Sequence, residues 1–289
     1  MVHPKKGCGG GVTPGGRWIW YSAGMFTDIH CHILPGIDDG SKELAQSLAM
    51  ARIAVADGIT TSFATPHHFN GVYSNPARAV LDHVEQLREE LHNEGIELEI
   101  LPGAENHIVP ELPDALAEGS AMTMGNFGQA VLVELPVHTV PVSTEEILDN
   151  VRAQDLVPII AHPERNTYLR QNPSRLREWV EMGCLAQVTA QSCTGLFGPQ
   201  VRAAAHTMVT GGLIHFVASD AHRDRRRIPE ISAGRAEIER WTNTETARLL
   251  AEEFPAGLAA GRVPDSLRLA NTLPAPRQSW WQRLFRQTA

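Results

Sequence analysis

The stretch DIHCHILPGIDDG, residues 28–40, ends one short apolar run and opens a loop containing Pro and Gly. The run itself, MFTDIH (25–30), has the length of a strand. His30 and His32 are two residues apart, so an extended backbone turns both imidazoles to the same side. Two imidazoles on one face make half of a metal site. Working outward, six further apolar runs follow: ITTSFAT (59–65), IELEIL (96–101), AVLVEL (130–135), VPIIAH (157–162), LAQVTA (185–190) and IHFVAS (214–219). Most are separated by amphipathic stretches with helical periodicity.

The helix ends are readable. Leu44, Leu48, Ala51 and Val55 form a stripe that Asp57-Gly58 terminates. Asn75-Pro76 reads as an N-cap with Pro at the first helical position, and Val80, Val84, Leu87 and Leu91 form the next stripe before Gly95. Ser143-Thr-Glu-Glu146 reads as a capping box for a helix through Val151. Asn172-Pro173 opens another helix, which Gly183 closes, whereas Pro110 and Pro113 leave room for little helix after the third strand. Seven strands alternating with helices predict an α/β fold, either a (β/α) barrel short of one unit or an open sheet. In both, chemistry gathers at the carboxyl ends of the strands.

Those ends carry the candidate site. The first strand delivers Asp28, His30 and His32, followed by Asp38 and Asp39; the second delivers His67 and His68; the third, Glu105 and His107. The fourth gives Glu134, the fifth His162, Glu164 and Arg165, and the seventh Asp220 and His222. The sixth offers Gln187 and Gln191 and no strong ligand. An isolated HxH is more often incidental than ligating, and a lone Glu at a strand end is more often a structural acceptor. Six coincident strand ends that bring imidazole or carboxylate to one rim point instead to metal. Asp39, Glu105, Glu134 and Asp220, packed together without cations, would repel and raise one another's pKa. One divalent ion would leave most of the ligands idle, whereas two or three leave a neutral or positive site suited to a phosphate dianion. Mixed imidazole and carboxylate donors fit Mn2+, Fe2+ or Zn2+ better than an all-oxygen Ca2+ site.

Composition excludes several other classes. Against 33 Asp+Glu the 289-residue chain has 25 Lys+Arg, a formal net charge of −8, which argues against a general nucleic-acid binder. Its 43% hydrophobic and 20% charged residues fit a soluble globular protein, and no apolar run approaches the ~18 residues of a membrane span. Cys8, Cys31, Cys184 and Cys193 show neither CxxC spacing nor disulfide density, and no signal peptide is apparent, so the expected location is cytoplasmic. A cysteine-based phosphatase needs Arg six residues after its nucleophile; those positions hold Pro14, Ile37, Ala190 and Pro199. The lysines, Lys5, Lys6 and Lys42, are absent from every strand end, which disfavours a carbamylated metal bridge or a Schiff base.

In their order and spacing, DIHCHILPGIDDG, ATPHH, GAENH, VELP, AHPERN and ASDAH resemble the PHP (polymerase and histidinol phosphatase) superfamily from about Met25 to Arg227. More closely, they resemble the bacterial manganese-dependent tyrosine-protein phosphatases of capsule and exopolysaccharide loci, the CpsB/YwqE-type group. The resemblance implies a distorted seven-stranded (β/α)7 TIM-like barrel with a trinuclear metal centre at its carboxyl rim. It implies that His30, His32, Glu105 and Asp220 hold a first ion. Glu105 then bridges to a second, completed by Glu134 and His162, and Asp39, His67 and His222 hold a third. The choice of Asp39 over Asp38, and of His67 over His68, rests on alignment to the motif. The implied cofactor is Mn2+, with Fe2+, Zn2+ or Mg2+ as alternatives, in two to three copies. Arg165, and as a weaker candidate Arg227, are the catalytic residues expected to clamp the phosphoryl oxygens.

The implied activity is hydrolysis of phosphotyrosine in a protein, the tail of a tyrosine autokinase that controls capsule or exopolysaccharide synthesis. The alternatives are a small-molecule phosphoesterase of the histidinol-phosphate type and a regulator that binds the kinase without turnover. No nucleic-acid partner and no membrane span are expected, and self-association is left open. Residues 1–24 read as a flexible leader, 25–265 as the metallophosphatase domain, and 266–289 as a Pro-rich linker with an aromatic-basic tail. Of the other histidines, His68 and His107 lie near the rim, His83 and His92 face solvent, and His138, His206 and His215 serve packing or the surface. Cys31, between two candidate ligands, is expected to point away as a small buried apolar group.

Overall fold

Parallel strands covered on both faces read as largely apolar runs, and each of the seven runs overlaps a strand, although 96–101 is extended only from Glu99 and 214–219 only over Phe216–Ala218. The computed structural model describes residues 25–265, 268–269 and 271–273. The leader expected over 1–24 and most of the tail expected over 266–289 therefore lie outside the described residues. In chain order the first half comprises β1 (Phe26–Cys31), α1 (Leu44–Asp57), β2 (Ile59–Ala64), β3 (His67–His68), α2 (Ala77–Asn93), β4 (Glu99–Pro102), β5 (Glu105–His107), α3 (Leu112–Ala117) and β6 (Ala130–Glu134). There follow α4 (Thr144–Arg152), β7 (Val157–Ala161), α5 (Thr167–Gln171), α6 (Pro173–Glu181), β8 (Leu185–Thr189), α7 (Ala190–Thr194), α8 (Pro199–Thr210) and β9 (Phe216–Ala218). Then come α9 (Ser232–Trp241), α10 (Thr244–Arg248), a π-helical turn (Leu249–Glu253) and α11 (Phe254–Ala259); the turn and α11 pack on β1, and α9 packs on α7.

All strand pairs are parallel. One sheet has the order β1-β2-β4 and the other β3-β5-β6-β7-β8-β9. The second and third expected strands are each split: β3 resumes β2 beyond Thr65-Pro66, and β5 resumes β4 beyond Gly103-Ala104. Pro66 has no N–H to give the ladder, although its carbonyl still accepts the Glu105 amide at 3.1 Å. The last strand meets the first at the carboxyl end. There Asp220 N–H donates to the His30 carbonyl (2.8 Å) and His32 N–H to the Ala221 carbonyl (2.9 Å). The expected α/β architecture with parallel strands is present; its hydrogen-bond ladders trace two sheets rather than one continuous ring.

The core runs through the middle strands, where Val131, Leu132, Val133, Ile159 and Ile160 have no exposed surface. Three local expectations differ from what is observed. The buried face of α1 is Ser47, Met50, Ala51 and Ala54, while Val55 is 39% exposed. Ser47 Oγ donates to the Ile33 carbonyl (2.6 Å), so a polar residue sits on the buried face, while Leu44 and Leu48 pack against the core at its edge. Asn75 is not the cap of α2, because Pro76 occupies that place; its amide instead holds the carbonyls of Ile37 (3.1 Å) and His67 (2.9 Å). Ser143 stands at the start of α4 without a capping bond, its ψ of 1° being far from the extended conformation that capping requires.

His215, just before β9, is 1% exposed and accepts the Ala186 amide on Nδ1 (3.2 Å). Burial pushes its pKa down to about 4, from an ordinary value near 6.5. The unfolded chain therefore gains a proton before the folded one, and stability falls as pH drops from about 6.5 to about 4. The single-group slope is about 1.4 kcal/mol per pH unit at most. Denaturant unfolding across this window should show that component in the wild type and not in His215→Gln; parallel curves would contradict it.

Candidate metal centre

Strand ends converge on one cluster. Four sets of ligand atoms each lie within 4.8 Å of one another: His32, Asp39, His67 and His222; His30, His32 and Asp220; His30, Glu105 and His162; His67, Glu105 and Glu134. All nine residues singled out as ligand candidates in the sequence are in these sets, and among the described residues no others are. The partition differs in detail from the implied one. His32 joins the set of Asp39, Glu134 closes on His67, and His162 joins His30, with 4.0 Å between His162 Nε2 and Glu134 Oε1.

A second partner fixes how several of these side chains point. His30 Nδ1 faces Gln187 Oε1 (3.1 Å), His32 Nδ1 faces Asp38 Oδ2 (2.7 Å), and His222 Nδ1 faces the Asp220 carbonyl (3.0 Å). Each acceptor keeps the ring proton on Nδ1 and leaves Nε2 bare toward the cluster. The adjacent aspartates thus divide the work. Asp38 holds His32 and accepts the amides of Gly40 (2.8 Å) and His67 (3.2 Å), whereas Asp39 faces His67 Nε2 (3.3 Å) and His222 Nε2 (3.4 Å). Gly40 is required here, because a Cβ would overlap the His32 main chain and side chain. His68, alternating with His67 on β3, is outside the cluster; its Nδ1 accepts the Asn75 amide (3.1 Å). His107 Nδ1 approaches Glu134 Oε2 at 3.4 Å and so supports that carboxylate from the side.

Sequence reasoning passed over four supporting residues. Gln187 also accepts the His162 amide (3.3 Å), and a neutral amide carries no ligand pattern. Asp28 accepts the Ser219 amide (2.9 Å), the Ser219 hydroxyl (2.5 Å) and the His30 amide (3.3 Å), which locks β1 to the end of β9. Glu164 accepts the Thr189 amide (3.0 Å) and the Ser192 hydroxyl (2.7 Å), fixing the turn that carries Arg165. Asp38 was visible only as the other half of an acidic pair.

The donor set fits divalent cations. His30 Nε2 and His32 Nε2 face each other at 3.1 Å, with Glu105 Oε2 at 3.3 and 3.2 Å and Asp220 Oδ1 at 3.5 Å from both. Four lone pairs directed at one region form a coordination shell. His67 Nδ1 and Glu105 Oε2 lie 3.0 Å apart, yet neither they nor the buried Asp220 Oδ1 make a hydrogen bond of good geometry, a costly state that a cation relieves. Without one, protons take its place. Burial alone would lower the His67 pKa, but Glu105 and Asp39 outweigh it and push it up to about 10.

Two guanidiniums flank the cluster. Arg165 and Arg227 (2.7 Å) both donate to Asp220 Oδ2. Burial would raise the Asp220 pKa, and these two charges outweigh it and keep the carboxylate ionised. The Phe197 ring lies under both, 4.9 Å from the Arg165 guanidinium carbon and 5.9 Å from that of Arg227, within cation–π range. Backbone strain gathers at the same place: His162 (φ 30°), Asp220 (φ 48°) and Arg227 (φ 55°) are left-handed, at about 1–3 kcal/mol each. Cys31, Cys184 and Cys193 are buried, and burial raises all three thiols, Cys184 up to about 12. No thiolate nucleophile is available among the described residues.

Residues 26–258 match the family described as "Capsular polysaccharide synthesis, CpsB/CapC". The chain belongs to the CpsB/CapC family. Within it, the tyrosine-protein phosphatase YwqE of Bacillus subtilis (strain 168) is 45% identical over 200 residues, or 69% of this chain and 78% of YwqE. The tyrosine-protein phosphatase CpsB of Streptococcus pneumoniae is 30% identical over 207 residues, covering 70% of this chain and 85% of CpsB. A solved structure from work on YwqE and CpsB as "unique metal-dependent tyrosine phosphatases" aligns with a TM-score of 0.80 at 39% identity. It covers 83% of this chain and 96% of its own. In this CpsB/CapC chain, Asp38→Asn should weaken divalent-cation binding, with Mn2+ as the probe, about 10- to 100-fold, because His32 loses the carboxylate that orients it. Titration calorimetry checks this, and an unchanged affinity would remove the orienting role.

Proposed function

We propose that the chain is a metal-dependent protein-tyrosine phosphatase of capsule or exopolysaccharide synthesis, acting in the cytoplasm on a phosphorylated tyrosine autokinase. The observation that carries the reading is the joint presence of the nine-residue donor cluster and two adjacent guanidiniums in a CpsB/CapC chain. Its relatives are named tyrosine-protein phosphatases, which favours this activity over a histidinol-phosphate-type esterase or a regulator without turnover. Among the described residues no helix is long and apolar enough to cross a membrane. The strands are read as a distorted seven-stranded barrel. The β1–β9 junction supports this, as does counting β2 with β3, and β4 with β5, as single strands.

The cluster is read as holding two to three Mn2+: one at His30, His32, Glu105 and Asp220, a second at Glu105, Glu134 and His162, a third at Asp39, His67 and His222. Divalent ions held there supply positive charge to the phosphoryl group and lower the pKa of coordinated water. Arg165 and Arg227, now both on one oxygen of Asp220, are positioned to turn their remaining N–H groups to the phosphoryl oxygens. The leaving phenolate has a pKa of about 10, so it needs less protonation than an alkoxide. This suits a rim at which neither His222 nor His68 is free to act as a general acid. His222 is itself a proposed ligand with its Nδ1 held by a carbonyl, and His68 is outside the cluster with its Nδ1 on the Asn75 amide.

The test is one set of rates with added Mn2+ and with chelator, on a phosphotyrosine peptide, a phosphoserine peptide, histidinol phosphate and single-stranded DNA. Phosphotyrosine hydrolysis should dominate, vanish with chelator and return with Mn2+. Arg165→Ala should lower kcat by about 100-fold or more, as removal of a preorganised donor does. Equal rates in chelator would contradict the metal reading, and preference for histidinol phosphate would transfer the activity to the small-molecule class.

A further inference from the structure

Beside the cluster lies a cavity of about 190 Å3. Leu135, Val137, Phe197 and Val201 supply apolar walls, and His162 and Arg165 from the candidate site complete it. An apolar cavity of roughly 150 Å3 accommodates one benzene ring, whereas pockets for larger ligands run from about 300 Å3 upward. The space therefore suits a single ring and not a stretch of peptide. Its polar lining is already committed. Asn166 Nδ2 donates to the carbonyls of Pro136 (2.7 Å) and Thr139 (2.9 Å), and its Oδ1 accepts the Leu169 amide (2.8 Å). With Thr167 N–H on the Val137 carbonyl (2.8 Å), these bonds hold the Val137 wall in place. Val137 remains 55% exposed, an apolar wall open at the surface.

The cavity is also joined to the clamp. Arg165 lines it while donating to Asp220, and Phe197 is at once its wall and the ring stacked on both guanidiniums. A phosphoryl group held by Arg165 would therefore have this apolar space next to its ester oxygen. We propose that the cavity receives the aromatic ring of an aryl phosphate ester. Phe197 and Val201 are then specificity-determining residues that separate aryl from alkyl phosphates. The inference rests on the phosphatase reading of the adjacent cluster. An alkyl phosphate such as phosphoserine leaves the space empty and loses the burial of a ring, on the order of 10- to 100-fold in affinity.

Phenylphosphonate and methylphosphonate share the anionic group and have no ester bond to hydrolyse, so calorimetric binding to the Mn2+-loaded full chain isolates the ring. The wild type should prefer phenylphosphonate by about 10- to 100-fold. Val201→Phe, which fills the cavity, should abolish that preference and leave methylphosphonate binding unchanged. Phe197→Ala, at a half-buried position, should also shrink the preference and provides the test if Val201→Phe does not fold. Equal wild-type affinity for the two phosphonates, or a preference untouched by both variants, would overturn the proposal. So would variants that weaken only phosphotyrosine peptides with an apolar neighbouring residue, since the cavity would then hold that neighbour. Retained phenyl preference in a protein that hydrolyses no phosphotyrosine would overturn the phosphatase reading alone.

Discussion

Four carboxylates share one rim with five imidazoles, and their mutual repulsion is the constraint around which the site is built. Glu105 and Asp220 are almost fully buried, so solvent does little to screen them. Positive charge must therefore be present, and the fold provides for it in two ways. Arg165 and Arg227 neutralise one side of Asp220, while bare ring nitrogens and unpartnered carboxylate oxygens leave places for divalent ions. The orienting acceptors, Gln187, Asp38 and the Asp220 carbonyl, matter because they decide which ring nitrogen stays free. A cluster with the same residues and the opposite tautomers would present protons where donors are needed.

The topology explains how residues from 30 to 222 come to share this rim. Parallel strands all point their carboxyl ends the same way, so residues at the ends of the strands or just beyond them, such as Glu134 closing β6 and His162 following β7, meet at one rim. The junction between β1 and β9 is the critical seam, since it carries His30, His32, Asp220 and His222. Asp28 secures it by holding Ser219 from within, which explains a buried carboxylate that ligates nothing. Left-handed backbone at His162, Asp220 and Arg227 shows where the chain is bent to bring these groups inward.

Much of this was legible in the sequence because parallel strands are apolar on both faces and end in functional residues. The ligand candidates were found because charged and imidazole side chains recur at strand ends, a pattern that survives without coordinates. What was not legible depended on neighbours distant in sequence. The inward face of α1 includes Ser47, which reaches Ile33, and leaves its leucines at the edge of the core. Asn75 looked like a helix cap and instead ties two loops. Gln187 resembled a strand end with no function until His30 and His162 met it. The apolar cavity likewise joins Leu135 to Val201 across the fold, with no local signal in either segment.

Cations in the cluster are what the site is built to hold, and diffraction from crystals grown with Mn2+, recorded at the manganese absorption edge, tests their presence directly. At least two anomalous peaks are expected, each in direct coordination contact with ring nitrogens or carboxylate oxygens of the nine residues. Absence of anomalous signal in the cluster, or peaks confined to other parts of the surface, would contradict it.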